Sequence, residues 1–297
     1  MLQLARSYER RKQLYLRVLM APALLLMAAL IVFPAFYAIS LSLTNEALLG
    51  FAARDSSFVG LRNFTRLFTD PLFWNSLKVT FVFVIGSAVI GQFVFGLLSA
   101  LCLRRPIRFK AIFNSMIVLP NAVPEMVVGF IWISMYATGE YGTLNRIVGW
   151  FGVEPQQWLF SFPLMAIVIV NTWRGIAFAM ILLTSGLESI PKDVYEAAKV
   201  DGATDRQIFF RITLPMLMPT IFLYMFVSTV TTFAIFGLVY TLSRGGPANS
   251  TEIIGIYIYN QSFTAFQLGY GAAVAVVSLV ISMLIGFFYV RALKVEI

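Results

Sequence analysis

VTFVFVIGSAVIGQFVFGLLSALCL, the stretch Val79–Leu103, contains no charged side chain. A helix rises 1.5 Å per residue, so a run of this length crosses about 30 Å of hydrocarbon with residues to spare. Val18–Leu43 and Gln267–Val290 are equally clean. Pro215–Leu242 is uncharged too, and its two prolines, Pro215 and Pro219, place the start of its helix near the second. Ala111–Tyr136 carries Glu125 and the pair Pro120/Pro124, and Pro163–Leu187 carries Arg174, yet both are otherwise long enough to span. The expected architecture is therefore an all-α membrane protein with six transmembrane helices. The first run has about twice the roughly 7–15 apolar residues of a signal peptide and no small-residue cleavage pattern after it, so it is expected to stay as a helix.

Composition points the same way. Of 297 residues, 59% are apolar and 12% charged, with a mean hydropathy of +0.83. Soluble domains carry about a quarter charged residues, so a soluble enzyme of this composition would expose far too much apolar surface. The chain has no histidine and a single cysteine, Cys102. That excludes imidazole catalysis, any metal site that needs a His ligand, and an internal disulfide. The net charge of +8 is scattered between long uncharged runs, which argues against nucleic acid as a partner.

Lysine and arginine set the expected orientation. Arg6, Arg10, Arg11, Lys12 and Arg17 precede span one; Arg104, Arg105, Arg108 and Lys110 separate spans two and three. Lys192, Lys199, Arg206 and Arg211 separate spans four and five, and Arg291 and Lys294 close the chain. The opposite loops hold only Arg54, Arg62, Arg66, Lys78, Arg146 and Arg244. Both termini are expected on the cytoplasmic side. Phe58–Leu77 and Thr251–Phe266, rich in aromatic residues, are expected to lie along the membrane interface, as simple anchors or as a docking surface for an external partner. Ser243–Pro247, with its Gly-Gly-Pro sequence, is expected to turn.

The most charged stretch is the loop Gly186–Pro219, long for a connector between spans. Pro191 suits a helical first turn, Asp193 and Glu196 stand at capping spacing, and Val194, Ala197, Ala198 and the stem of Lys199 give a face of small residues. Gly202 breaks that helix, and Thr204 or Asp205 caps a second, short one through Phe209 and Phe210. The loop is either a plain elbow or a knob that another surface approaches closely.

Glu196-Ala197-Ala198, then Gly202 after three residues, then Ile212-Thr213-Leu214-Pro215 after nine more, resembles the E-A-A-x3-G-x9-I-x-L-P coupling motif of permease subunits of ATP-binding cassette importers. Phe58–Phe64, Gly245-Gly246-Pro247 with Ser250-Thr251, and Gly269–Ala273 are similar to the carbohydrate branch, the maltose and glycerol-phosphate type. The resemblance implies a coupling loop over 188–218 within a single permease domain, 18–297, after a cytoplasmic N-terminus, 1–17. In that loop Glu196, Ala197, Ala198, Asp201, Gly202, Ile212, Leu214 and Pro215 carry the coupling. It further implies two ATPase subunits, a second permease subunit, an extracytoplasmic solute-binding protein, a sugar-like solute, and the cytoplasmic membrane of a bacterium or archaeon. No G-x-x-x-x-G-K-[ST] phosphate loop occurs, so ATP and Mg are expected on the separate ATPase and no cofactor on this chain.

Polar groups at membrane depth are costly and face a cavity or a partner. Glu125 and Arg174 both fall near mid-depth, as a structural ion pair or as part of the solute path. Asn171-Thr172-Trp173-Arg174-Gly175 resembles the N-T-W-x-G stretch of maltose-type permeases, which implies that Asn171 and Gly175 contribute to a sugar site. Phe178 stands where the maltose pattern has tyrosine. Asn171 and Gly175 share one helix face, and Gly175 is expected to leave an open groove for a sugar ring. Ser228, Thr229, Thr231 and Thr232 cluster in span five. They bond their own helix or its neighbour, or, with Ser228, Thr229 and Thr232 foremost, line the path. The reading is a non-enzymatic permease working by alternating access; the alternative is an ion-coupled secondary transporter that uses Glu125 and Arg174.

Overall fold

The computed structural model describes residues 17–50, 53, 56–104 and 108–294, and among them there is no strand. Most of the segment 1–17, with Arg6, Arg10, Arg11 and Lys12, lies outside the described residues, as do Arg54 and Arg105. Among the described residues five helices are long and apolar enough to cross a membrane, and a sixth crossing requires counting one bent pair as a span.

The chain divides into two compact units, Met1–Thr69 with Asn260–Val277, and Asp70–Tyr259 with Ser278–Ile297. In the first, α1 (Arg17–Ser42) has no buried residue along its most apolar stretch, while Ser42 at its end is buried. Its end is clasped by α2 (Arg62–Thr69): Asn63 Nδ2 donates to the carbonyls of Ser42 (2.9 Å) and Thr44 (2.8 Å). These are carbonyls that a helix end leaves unpaired. The Arg66 guanidinium lies 4.2 Å from the centre of the Tyr270 ring.

In the second unit α3 (Pro71–Arg104) starts at an Asp70 cap whose carboxylate accepts from the Leu72 N–H, with Pro71 in the first turn. Ile85–Gln92 is wound as a π-helix within it. Next come α4 (Lys110–Ala122) and α5 (Glu125–Met135), whose axes turn by 108°. The expected continuous third span is thus broken. Pro124 drives Val123 to an extended backbone (ψ 134°), which no helix continues through. After the short α6 (Thr143–Gly149), α7 (Pro163–Glu188) is the central helix and packs along α3. Gly91 faces Thr172 and Gly96 faces Ala179 with no space for a Cβ, a seam of small residues that brings the two backbones together.

The elbow helix α8 (Lys192–Val200) leads to α9 (Asp205–Phe233). α9 begins fourteen residues before Pro219, not near it. Thr204 and Gln207 form a reciprocal capping box at its start, and a π turn at Phe209–Thr213 precedes Pro215, giving its ring room in the helix. The expected short second helix is the first turns of this long one. α10 (Gly237–Ser243) follows a break at Ala234–Phe236 and packs on α5. The Gly-Gly-Pro segment after it turns as expected, with Arg244, Gly245, Ala248 and Asn249 at positive φ.

α11 (Ile254–Tyr259) lies within the stretch expected along the interface, and part of it packs on its own chain. Ile254, Ile256 and Tyr257 are buried against α3, where Thr80 Oγ1 accepts from the Ile254 N–H (2.8 Å) and the Tyr257 hydroxyl donates to Asp70 (2.6 Å). α12 (Leu268–Lys294) ends the described chain.

Candidate functional site

Glu125, Asn171, Arg174, Gly175, Phe178, Ser228 and Thr232 line one cavity of about 280 Å3 between α3, α4, α5, α7 and α9. The proline break puts Glu125 in the first turn of α5, and Arg174 reaches it from mid-α7, Nη1 to Oε1 3.5 Å. The two form the ion pair that their depths suggested. Arg174 Nε is buried with no hydrogen-bond partner.

Three further polar residues line the cavity: Gln92, Asn121 and Thr231. Gln92 carries the only side-chain amide in the run Val79–Leu103, a signal visible in the sequence and passed over. It organises the cavity floor. Its Nε2 donates to the Asn171 carbonyl (2.9 Å), and its Oε1 accepts from Ser228 Oγ (2.8 Å). Tyr224, whose hydroxyl donates to the Ala88 carbonyl (2.8 Å), stacks against Phe93 and tilts against Phe178.

Three expectations meet the geometry here. The groove beside Gly175 is not open, because the Gln92 amide occupies it and a Cβ at Gly175 would collide with that amide. Asn171 is buried, and its Nδ2 donates to Ser87 Oγ on α3 (2.8 Å). Thr229 faces away from the cavity, its hydroxyl 3.1 Å from that of Tyr289 in an apolar cleft.

The elbow is closed by hydrogen bonds. The Ala203 N–H donates to the Ala198 carbonyl (2.9 Å) and the Gly202 N–H to the Lys199 carbonyl (3.1 Å). This is a Schellman closure, and it requires the left-handed backbone of Gly202, φ +78°. Pro191 occupies the N-cap with no side-chain cap, so the expected Asp193 cap is not made. Asp193, Glu196, Ala197 and Val200 share the outward face, and Val200 is 87% exposed. Ala198 points inward and is buried, about 100° round the helix from Ala197. Asp201 and Gly202 are exposed. Tyr195 anchors the elbow, accepting from Arg104 (3.2 Å) and Thr213 (3.4 Å). Beyond the π turn, Leu214 packs on the core cluster around Leu183 and Tyr224, Ile212 is half-buried and Pro215 exposed.

Known proteins resemble this chain in sequence and in fold. The chain is 33% identical over 276 residues to the sn-glycerol-3-phosphate transport system permease protein UgpA of Agrobacterium fabrum, covering 92% of each. It is 31% identical over 287 residues to the trehalose/maltose transport system permease protein MalF of Thermococcus litoralis, covering 96% of this chain and 95% of that one. Its fold matches a chain of a bacterial ABC transporter that imports the acidic polysaccharide alginate, with a TM-score of 0.79, 22% identity and 98% of each chain covered. Residues 92–294 match the family described as the inner membrane component of binding-protein-dependent transport systems, and with relatives this similar along nearly its whole length, the chain belongs to that family of ABC importer permeases.

Proposed function

We propose that this chain translocates a sugar or sugar-like solute by alternating access and performs no covalent chemistry itself. The observation that carries the reading is the elbow: a helix closed by a Schellman turn at Gly202, presenting Glu196, Ala197 and Val200 outward. Such a knob suits a cleft on a separate ATPase, which would bind ATP and Mg. Two ATPases would serve this permease and a second, different permease that completes the pathway.

Both termini and the elbow lie on the cytoplasmic side in this reading, supported by the basic residues that flank them. An extracytoplasmic binding protein delivers the solute from the other side. The cavity at Gln92, Glu125 and Arg174 is the part of the path this chain contributes. Two relatives are named for solutes of different charge, a phosphorylated glycerol and the disaccharides trehalose and maltose. An ATP-driven coupling elbow has no use in an ion-coupled transporter, so the Glu125–Arg174 pair is not read as a proton or ion relay.

The test is Gly202→Asp in the assembled complex. The permease should reach the membrane but lose co-purifying ATPase and uptake together. Normal co-purification and uptake would sink the coupling reading.

A further inference from the structure

Glu125 and Arg174 are the only charged residues among those lining the cavity. They sit 3.5 Å apart, so the wall carries one anion and one cation and no net charge. The remaining polar lining is neutral: the amides of Gln92, Asn121 and Asn171 and the hydroxyls on α9. The Arg174 side chain, 23% exposed, carries more N–H donors than Glu125 takes up, and Glu125, 36% exposed on its side chain, has acceptor capacity to spare.

An anionic solute has two ways to enter such a site. It can pull Arg174 from Glu125, leaving a lone carboxylate in a site of reduced dielectric, or it can approach with Glu125 still in place, which offsets the attraction of Arg174 and leaves the anion's desolvation uncompensated. Both are unfavourable. An uncharged polyol meets neither difficulty. Its hydroxyls accept from Arg174 and donate to Glu125 without parting them.

We propose that the Glu125–Arg174 pair makes this cavity select uncharged, hydroxyl-bearing solutes over anionic ones, with Glu125 as the residue that turns anions away. The proposal rests on reading the cavity as part of the solute path.

The assembled complex can be tested without knowing the solute, using charged thiol reagents as probes. In a Cys102→Ser background, Thr231→Cys places one thiol on the cavity wall; Thr231 already spends its hydroxyl on its own helix, at the Val227 carbonyl. Modification rates during ATP turnover are measured for a neutral methyl thiosulfonate and its anionic sulfonatoethyl analogue, each corrected for intrinsic reactivity. With Glu125 intact the anionic reagent should react about tenfold more slowly than the neutral one. Glu125→Gln should remove most of that difference, and Glu125→Gln with Arg174→Gln should not favour the anion further.

Equal rates for the two reagents with Glu125 intact overturn the proposal, and this arm does not depend on whether Glu125→Gln folds. An unchanged ratio in a folded Glu125→Gln complex overturns it as well. If neither reagent reaches the thiol in any nucleotide state, the cavity is not on an aqueous path. The proposal then falls together with the reading beneath it, an outcome distinct from the other two.

Discussion

The Gln92 amide fills the space into which a side chain at Gly175 would project. The glycine of the Asn171–Gly175 stretch therefore serves the meeting of α3, α7 and α9: the amide that enters there bonds the Asn171 carbonyl on one side and Ser228 on the other. Gly175→Ala should force that amide out and cost about 1–3 kcal/mol, the usual range for overpacking. Gln92→Ala alone should cost less, since hydrogen bonds between membrane helices average about 0.6 kcal/mol. Combining the two should recover most of the loss, because the new methyl then enters vacated space. Thermal unfolding of the complex in nanodiscs measures all three, and a Gly175→Ala complex as stable as the unaltered one would refute the packing argument.

The ion pair makes a second, independent prediction. A lone charge at the centre of a membrane helix costs roughly 2.5–3.5 kcal/mol on insertion scales. Both side chains here reach the cavity, 23% exposed for Arg174 and 36% for Glu125, so the penalty should fall below that range. Glu125→Ala and Arg174→Ala should each lower the yield of folded protein, and the double change should recover part of it. Losses that simply add in the double variant would show that the two charges do not stabilise one another.

Neighbouring alanines on α8 should behave differently. Ala197 faces outward and Ala198 inward. Ala197→Leu should leave stability within about 0.5 kcal/mol, as surface changes do, while reducing co-purification of the ATPase. Ala198→Leu should overpack the elbow and cost about 1–3 kcal/mol. Unfolding measurements with pull-down of the ATPase separate the two effects, and a reversed pattern would move the docking face.

Much of this was legible in the sequence because the dominant physics is local. Uncharged runs such as Val79–Leu103 declare their spans, and two opposite charges at similar depth, Glu125 and Arg174, declare a pair. Rotation about a helix axis was not legible. Span five is apolar nearly all round, so nothing in its pattern told Thr231, which lines the cavity, from Thr229, which meets Tyr289. The same blindness placed Ala198 on the outer face. The burial of Ile254 and Tyr257 depends on α3 standing beside them, a tertiary contact that local aromatic content does not announce.

Asn171 is where resemblance and geometry pull furthest apart. The family likeness makes it a solute contact, yet one of its two amide N–H groups is already committed to Ser87, whose own hydroxyl donates to the Phe83 carbonyl (2.7 Å). If the Asn171 side chain acts through that bond, Asn171→Ala and Ser87→Ala should do the same thing. Each should cost no more than about 1.7 kcal/mol, the upper end for such bonds in membranes. Each should lower uptake by a similar factor, and the double variant should be no worse than Ser87→Ala, because the Asn171–Ser87 bond is lost in all three and the Ser87–Phe83 bond goes with Ser87 in either case. A direct solute contact predicts otherwise: Asn171→Ala would lose far more uptake than Ser87→Ala at equal stability. Uptake by reconstituted complex, normalised to assembled protein, decides between them. The committed donor favours the first outcome, with the solute meeting Arg174, Glu125 and the α9 hydroxyls instead.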